Sequence, residues 1–215
     1  MSLENDRISF VNIFKEKLRE KKLSEFAKFY GVTIKKGRNI NKGWVGITLS
    51  KIASDIKNRS EKEESIYCMK SVKVKLNKSS IEPIETMALT KLDPRIIITQ
   101  NFEDSDLWNT IKSLLLLGCE YRNKEDASII KIQPFNIDDK SLKNEIQTLW
   151  ESIKDITANG KISSYSCKNE NNKYVQLRRK GTRNSRIKCP ITGVEFHSMS
   201  FYAKKDFLRY CLGSV

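Results

Sequence analysis

The alternation of polar and apolar positions is sharpest near residue 71. Ser71, Lys73 and Lys75 fall on one side of an extended chain, and Val72, Val74 and Leu76 on the other. A period of two marks a strand with one polar and one buried face, expected here over 66–76. Elsewhere the period lengthens. Phe10, Ile13, Phe14 and Leu18 recur at helical spacing, so helix is expected across 7–30 in two pieces. The second piece, LSEFAKFYG, has Ser24 as its cap and Gly31 as its stop. WVGITLSKIASDI and DSDLWNTIK show the same helical spacing. The clearest stripe, Leu142, Ile146, Leu149, Ile153 and Ile156, belongs to a helix ended by Gly160. SLLLLGCEY is a continuous apolar run of strand length, hence a buried strand. ASIIKIQPFNI and KYVQLRRKG read as further strands, the latter running into a basic turn. SIEPIETMALT and LDPRIIITQ hold prolines and predict short extended pieces, KKGRNINKG is a basic loop, and SFYAKKDFLRYCL closes the chain as a helix. This mixed order predicts an α/β fold with a central mixed sheet flanked by helices.

Composition narrows the class. The 215 residues, 39% hydrophobic and 31% charged, suffice for one well-cored domain or one domain with lobes. No repeat or low-complexity tract interrupts them. No apolar run is long enough to cross a bilayer, and MSLENDRISF lacks the basic segment and apolar core of a secretory leader. It reads instead as the start of a piece cut from a longer protein. The five cysteines, Cys68, Cys119, Cys167, Cys189 and Cys211, are odd in number and scattered, without C-x-x-C. That pattern argues for reduced thiols in the cytoplasm and against structural zinc. The one histidine, His197, has no second His or Cys at ligand spacing, so neither zinc nor triad chemistry is supported.

Charge changes the picture most. The net charge is +14, which calls for a polyanionic partner, nucleic acid first. From Cys167 to Tyr210 there are eleven Lys or Arg against three acids, an excess of eight in about one fifth of the chain. The excess does not lie on one long amphipathic helix, so no membrane partner is expected. A solvated basic surface is the plain alternative.

Four blocks in order, NKGWVGITL (41–49), ESIYCMKSVKVK (64–75), NNKYVQLRRKG (171–181) and SFYAKKDF (200–207), resemble the MutH family of GATC-specific endonucleases. The resemblance runs from about Leu23 onward and is nearest to the C-terminal, catalytically degenerate half of two-domain, Sau-type GATC restriction endonucleases. It implies a restriction-endonuclease-like (MutH-like) core, with 1–22 as a helical lead-in from a preceding domain and 23–215 as the DNA-binding domain. It also implies an active site in which a helix acid, an Asp and an E-x-K on a strand meet around Mg²⁺. Mg²⁺ wants hard oxygen ligands in near-octahedral geometry, polarises the scissile phosphate and activates water. In this chain the helix acid falls on Ser50, the Asp on Glu64, the Glu on Ser71 and the lysine on Lys73, while a further family lysine falls on Thr110. With two hydroxyls for carboxylates, no metal is expected here and no catalytic set is intact. Asp55 lies more than one turn past Ser50, and Glu63 points opposite Glu64, so neither is placed to substitute.

The family's DNA-reading positions fall on Arg178 and Lys180, two apart and so on one strand face, with Tyr202 from the closing segment. Guanine presents paired O6 and N7 acceptors, which suit Arg or Lys. Arg179 points the other way. Lys42, Arg183, Arg186, Lys204 and Lys205 are the expected phosphate contacts, with 182–186 as a basic, flexible loop. The resemblance implies a non-cutting, GATC-binding regulatory domain of a type II restriction endonuclease in a restriction-modification system. Its partners would be GATC duplex, the Mg²⁺-dependent catalytic domain of the same polypeptide, and another copy if it dimerises on DNA. The alternatives are an active endonuclease domain with displaced ligands and a nonspecific basic DNA-binding module.

Overall fold

The computed structural model describes residues 3–19, 22–34, 43–58, 67–77, 80–121, 126–135, 139–166, 172–182 and 184–213. In chain order the first elements are α1 (Leu3–Arg19), α2 (Leu23–Phe29), α3 (Gly43–Asn58), β1 (Cys68–Leu76), β2 (Ile81–Pro83) and β3 (Met87–Lys91). Then come α4 (Pro94–Ile97), α5 (Asp106–Lys112), β4 (Leu114–Tyr121), β5 (Ala127–Pro134) and α6 (Lys140–Ala158). The last are β6 (Val175–Arg179), β7 (Arg186–Lys188), β8 (Glu195–His197), β9 (Met199–Ala203) and α7 (Lys205–Leu212). They form two compact units: Met1–Ile84 with Ser113–Phe135 and Cys211–Val215, and Glu85–Lys112 with Asn136–Tyr210. Among the described residues no helix is long and apolar enough to cross a membrane.

The first unit is built on a mixed sheet in the order β2-β1-β4-β5, with β1 parallel to β4 and the other pairs antiparallel. Leu115, Leu117 and Cys119 of β4 meet Phe14 of α1, Phe26 of α2 and Trp44, Val45, Leu49 and Ile52 of α3 in one apolar core. Met69 packs against that core, so Ser71 and Lys73, at the same parity, lie on the helix-covered face. Val72 and Val74 are buried on the opposite face. There the Gly118 position is hemmed in by Val74, Leu212 and Lys131, which leaves no slack for a side chain. Both faces of β4 are thus covered, which is why its run from Leu114 to Cys119 is apolar without alternation. Two sequence expectations change here. Leu76 is exposed, because β4 pairs with β1 only as far as Lys73 and the strand's end meets only the short β2. Ser24 does not cap α2; the helix starts two residues earlier, at buried Leu23 after Lys22.

The second unit holds an antiparallel sheet in the order β3-β9-β6 and a β7–β8 ribbon. Met87, Leu89, Val175, Leu177, Met199, Phe201 and Ala203 are buried apolar residues of the three-stranded sheet, and Ser200 is buried as well. The opposite parity carries Gln176, Arg178, Ser200 and Tyr202. α6 packs against β6 and buries Leu142, Ile146, Leu149, Trp150 and Ile153, and its start is fixed by Asp139, whose carboxylate accepts from the Ser141 and Leu142 amides at 2.8 and 3.2 Å. The expected mixed sheet is thus β2-β1-β4-β5 of the first unit, and the remaining strands add a three-stranded sheet and a ribbon within the α/β class. LDPRIIITQ is not extended: Asp93 accepts from the Arg95 amide at 2.9 Å and Pro94 opens the helical turn α4. SFYAKK is not helical either. Ser200–Ala203 pair with both β3 and β6, and helix starts only at Lys205.

Candidate nucleic-acid interface

In the first unit Ser50 is an exposed residue of α3, whose buried side is made by Trp44, Val45, Thr48, Leu49 and Ile52. Ser71 and Lys73 are brought together on one face of β1, half-buried, opposite Leu117 and Cys119 of β4. The Lys73 ammonium lies 5.7 Å from the centre of the Tyr121 ring. Glu63 and Glu64 lie outside the described residues. Asp55 is committed to helix packing: it accepts from Lys17 Nζ at 2.9 Å and from the Tyr30 hydroxyl at 2.5 Å. Burial pulls the Lys17 ammonium down, yet its bonds to Asp55 and Tyr30 outweigh this and leave it above its ordinary range. Burial and the Asp55 bond push the Tyr30 phenol up. Among the described residues no three His, Cys, Asp or Glu side chains gather as a metal site. Two hydroxyls and an ammonium are not a donor set for a hard divalent cation. Thr110 is a half-buried residue of α5, in the second unit.

In the second unit the polar parity of the three-stranded sheet gathers a different set. Arg178 on β6 is exposed, with its guanidinium 5.3 Å from the centre of the Tyr202 ring on β9. Its Nη1 donates to Thr86 Oγ1 at 3.0 Å. The ring and the hydroxyl hold the planar guanidinium from two sides, which limits its rotamers before any ligand arrives. The Lys180 amide donates to the Ser198 carbonyl at 2.8 Å and extends the ladder one step past β6. Lys180, exposed, thus follows Arg178 at the spacing of one face.

Gly181, at φ +97°, turns the chain there. Thr182 and Ser185 beyond it are joined by hydrogen bonds. Ser185 Oγ accepts from the Thr182 amide at 3.1 Å, the Ser185 amide donates to the Thr182 carbonyl at 3.0 Å, and the Ser198 amide donates to the Ser185 carbonyl at 2.8 Å. The turn feeds β7, where exposed Arg186 pairs directly with His197 of β8. Desolvation, then Arg186, then Arg179 push the His197 imidazole below its ordinary pKa. Two cations press on it, the field a phosphate would relieve.

Of the remaining expected contacts, Lys205 is the exposed first residue of α7. Lys204 donates to the Asn172 carbonyl, so part of its donor capacity serves the fold. Lys42 and Arg183 lie outside the described residues. Thr86 escaped the sequence reading, because its bond to Arg178 joins residues 92 apart with no local signal. From sequence, His197 is a candidate only for zinc or triad chemistry, and neither reveals its place beside Arg186. Among the described residues Cys68, Cys119, Cys189 and Cys211 form no disulfide, and burial pushes the Cys211 thiol up.

No curated protein matches the chain. Residues 51–148 match the family model of MutH, described as the DNA mismatch repair enzyme MutH. The matched stretch holds Ser71 and Lys73 and begins one residue after Ser50, while Arg178, Lys180 and Tyr202 lie beyond it. Over residues 51–148 the chain is MutH-like, and its helices around a mixed sheet are the restriction-endonuclease-like α/β core.

Proposed function

We propose that this chain binds GATC duplex without cutting it, as the regulatory C-terminal domain of a type II restriction endonuclease. The observation that carries the reading is the Arg178 guanidinium, stacked on Tyr202 and bonded to Thr86, with Lys180 next on the same face. A guanidinium held by a ring and a hydroxyl is suited to the O6 and N7 of a guanine in the major groove. Further Lys and Arg of the chain, Lys42, Arg183, Arg186, Lys204 and Lys205, supply attraction to phosphates and fix the register. The hydroxyls of Ser50 and Ser71 leave no carboxylate pair to hold Mg²⁺, so the metal belongs to the catalytic domain of the parent enzyme. Binding of a second GATC site here would bring that domain onto DNA, or pair two copies, and so activate cleavage in the cytoplasm.

The test is the ratio of affinities for GATC and scrambled duplex at fixed salt. Arg178→Ala should lower GATC affinity about ten-fold or more while leaving scrambled DNA nearly unchanged, since a good bidentate contact discriminates by about 1–3 kcal/mol. Equal losses on both duplexes would make Arg178 a phosphate contact and the chain a nonspecific basic module.

A further inference from the structure

Arg178 is not alone on its face. Gln176 precedes it by two residues and stands directly opposite Tyr202 across the β6–β9 ladder. Tyr202 is therefore flanked by a guanidinium and a primary amide, both at the parity opposite to the buried Leu177 and Val175. Gln176 is half-buried, and its side-chain amide has no hydrogen-bond partner among the described residues. An amide in that setting is left to solvent by the protein, so its donors and acceptor stay available to a ligand group. Its chemistry names the group. A carboxamide has one acceptor and two donors, the complement of adenine's N6 amino group and N7, as guanidinium complements guanine.

Spacing agrees. Residues two apart on a strand are separated by about 6.8 Å, and base pairs stack about 3.4 Å apart, so one strand face laid along the groove meets every second pair. Two steps inward from the guanine of GATC lies a T·A pair, whose adenine edge also faces the major groove.

We infer that Gln176 is a base-reading residue of this surface, taking the adenine of the T·A pair two steps from the guanine held by Arg178. The inference rests on the reading of the chain as a GATC binder. It is tested with duplexes in which 7-deazaadenine replaces adenine in GATC, which removes the N7 acceptor and leaves Watson–Crick pairing intact. Wild-type protein should bind the modified duplex several-fold more weakly than GATC. Gln176→Met keeps the side chain's length and removes the amide. It should bind GATC about ten-fold more weakly than wild type and show no further loss on the modified duplex. Circular dichroism melts on both proteins establish that the variant is folded; if Gln176→Met unfolds, Gln176→Glu serves, since it keeps the shape and, as a carboxylate, cannot donate to N7. An undiminished 7-deazaadenine penalty in the folded variant would overturn the role of Gln176. If Arg178→Ala still loses its GATC preference in that experiment, the broader reading stands without it. A wild-type protein that binds GATC and scrambled duplex equally would overturn both.

Discussion

β1 and β6 are both strands with polar residues two apart beside buried apolar ones, and they carry opposite chemistries. On β1, Ser71 and Lys73 lie on the face that helices cover, half-buried, where no acid among the described residues gathers to hold a metal. On β6, Arg178 is exposed, stacked and hydrogen-bonded, and Lys180 continues its row. Hydroxyls where metal-binding acids would stand cost the fold nothing, because Ser is small and uncharged. Clustering cations without acids, by contrast, stores repulsion that only an anionic partner relieves. On the proposed function, the difference separates two jobs that a nuclease combines: cutting, whose acids are absent from one strand, and holding DNA, for which the other strand is equipped.

That contrast can be broken first by salt. If the basic surface neutralises as few as six phosphates, affinity should fall about 10³-fold between 50 and 200 mM salt. A nearly flat dependence in a filter-binding series would mean that the charge serves something other than DNA. Tyr202 sharpens the contrast at the level of one contact. Tyr202→Phe keeps the ring beneath Arg178 and should leave GATC preference nearly intact. Tyr202→Ala frees the guanidinium and should reduce that preference several-fold, a stacked cation being worth about 0.5–1 kcal/mol or more. Equal behaviour of the two variants would show that the ring does not organise Arg178.

Smaller effects probe the turn beyond β6. Gly181 sits at φ +97°, and a Cβ there would collide with Ser185. Gly181→Ala should lower stability by about 1–3 kcal/mol in a denaturant titration and weaken binding to every duplex. His197 offers the mildest readout. In the free protein desolvation, Arg186 and Arg179 hold it below 6.5. Because the folded state then binds fewer protons than the unfolded one, its contribution destabilises the fold as pH falls through 6.5 toward the lowered folded value. Bound phosphate opposes the two arginines, so the single imidazole resonance in an NMR titration should move to higher pKa on DNA. No movement would place the backbone away from the β7–β8 ribbon.

Elements with strong local patterns were legible in the sequence. The stripe of α6, the unbroken apolar run of β4 and the alternation of β1 are local, and all three stand in the structure. The basic segment around β6 was legible as charge. What escaped was non-local or locally ambiguous. The pairing of β3 with β9 joins Met87 to Ala203, and only that register divides the strands into two sheets. It also draws Ser200–Ala203 into a strand although SFYAKKDFLRYCL has a helix-like rhythm. α4 turned on one side-chain acceptor, Asp93, at a proline that otherwise signals extended chain. The candidate site divides the same way: Arg178 and Tyr202 could be nominated from motifs, whereas Thr86 beneath the guanidinium and Gln176 opposite Tyr202 became visible only with the register.

The most direct test of a domain that reads without cutting is a titration of GATC duplex against a one-base variant, with and without Mg²⁺, followed by inspection of the same DNA for strand breaks. The account predicts clear preference for GATC, the same affinity in both buffers and intact strands throughout. Mg²⁺-dependent cleavage at GATC that disappears in Glu64→Ala or Lys73→Ala would contradict it, as would affinities for the two duplexes that do not differ.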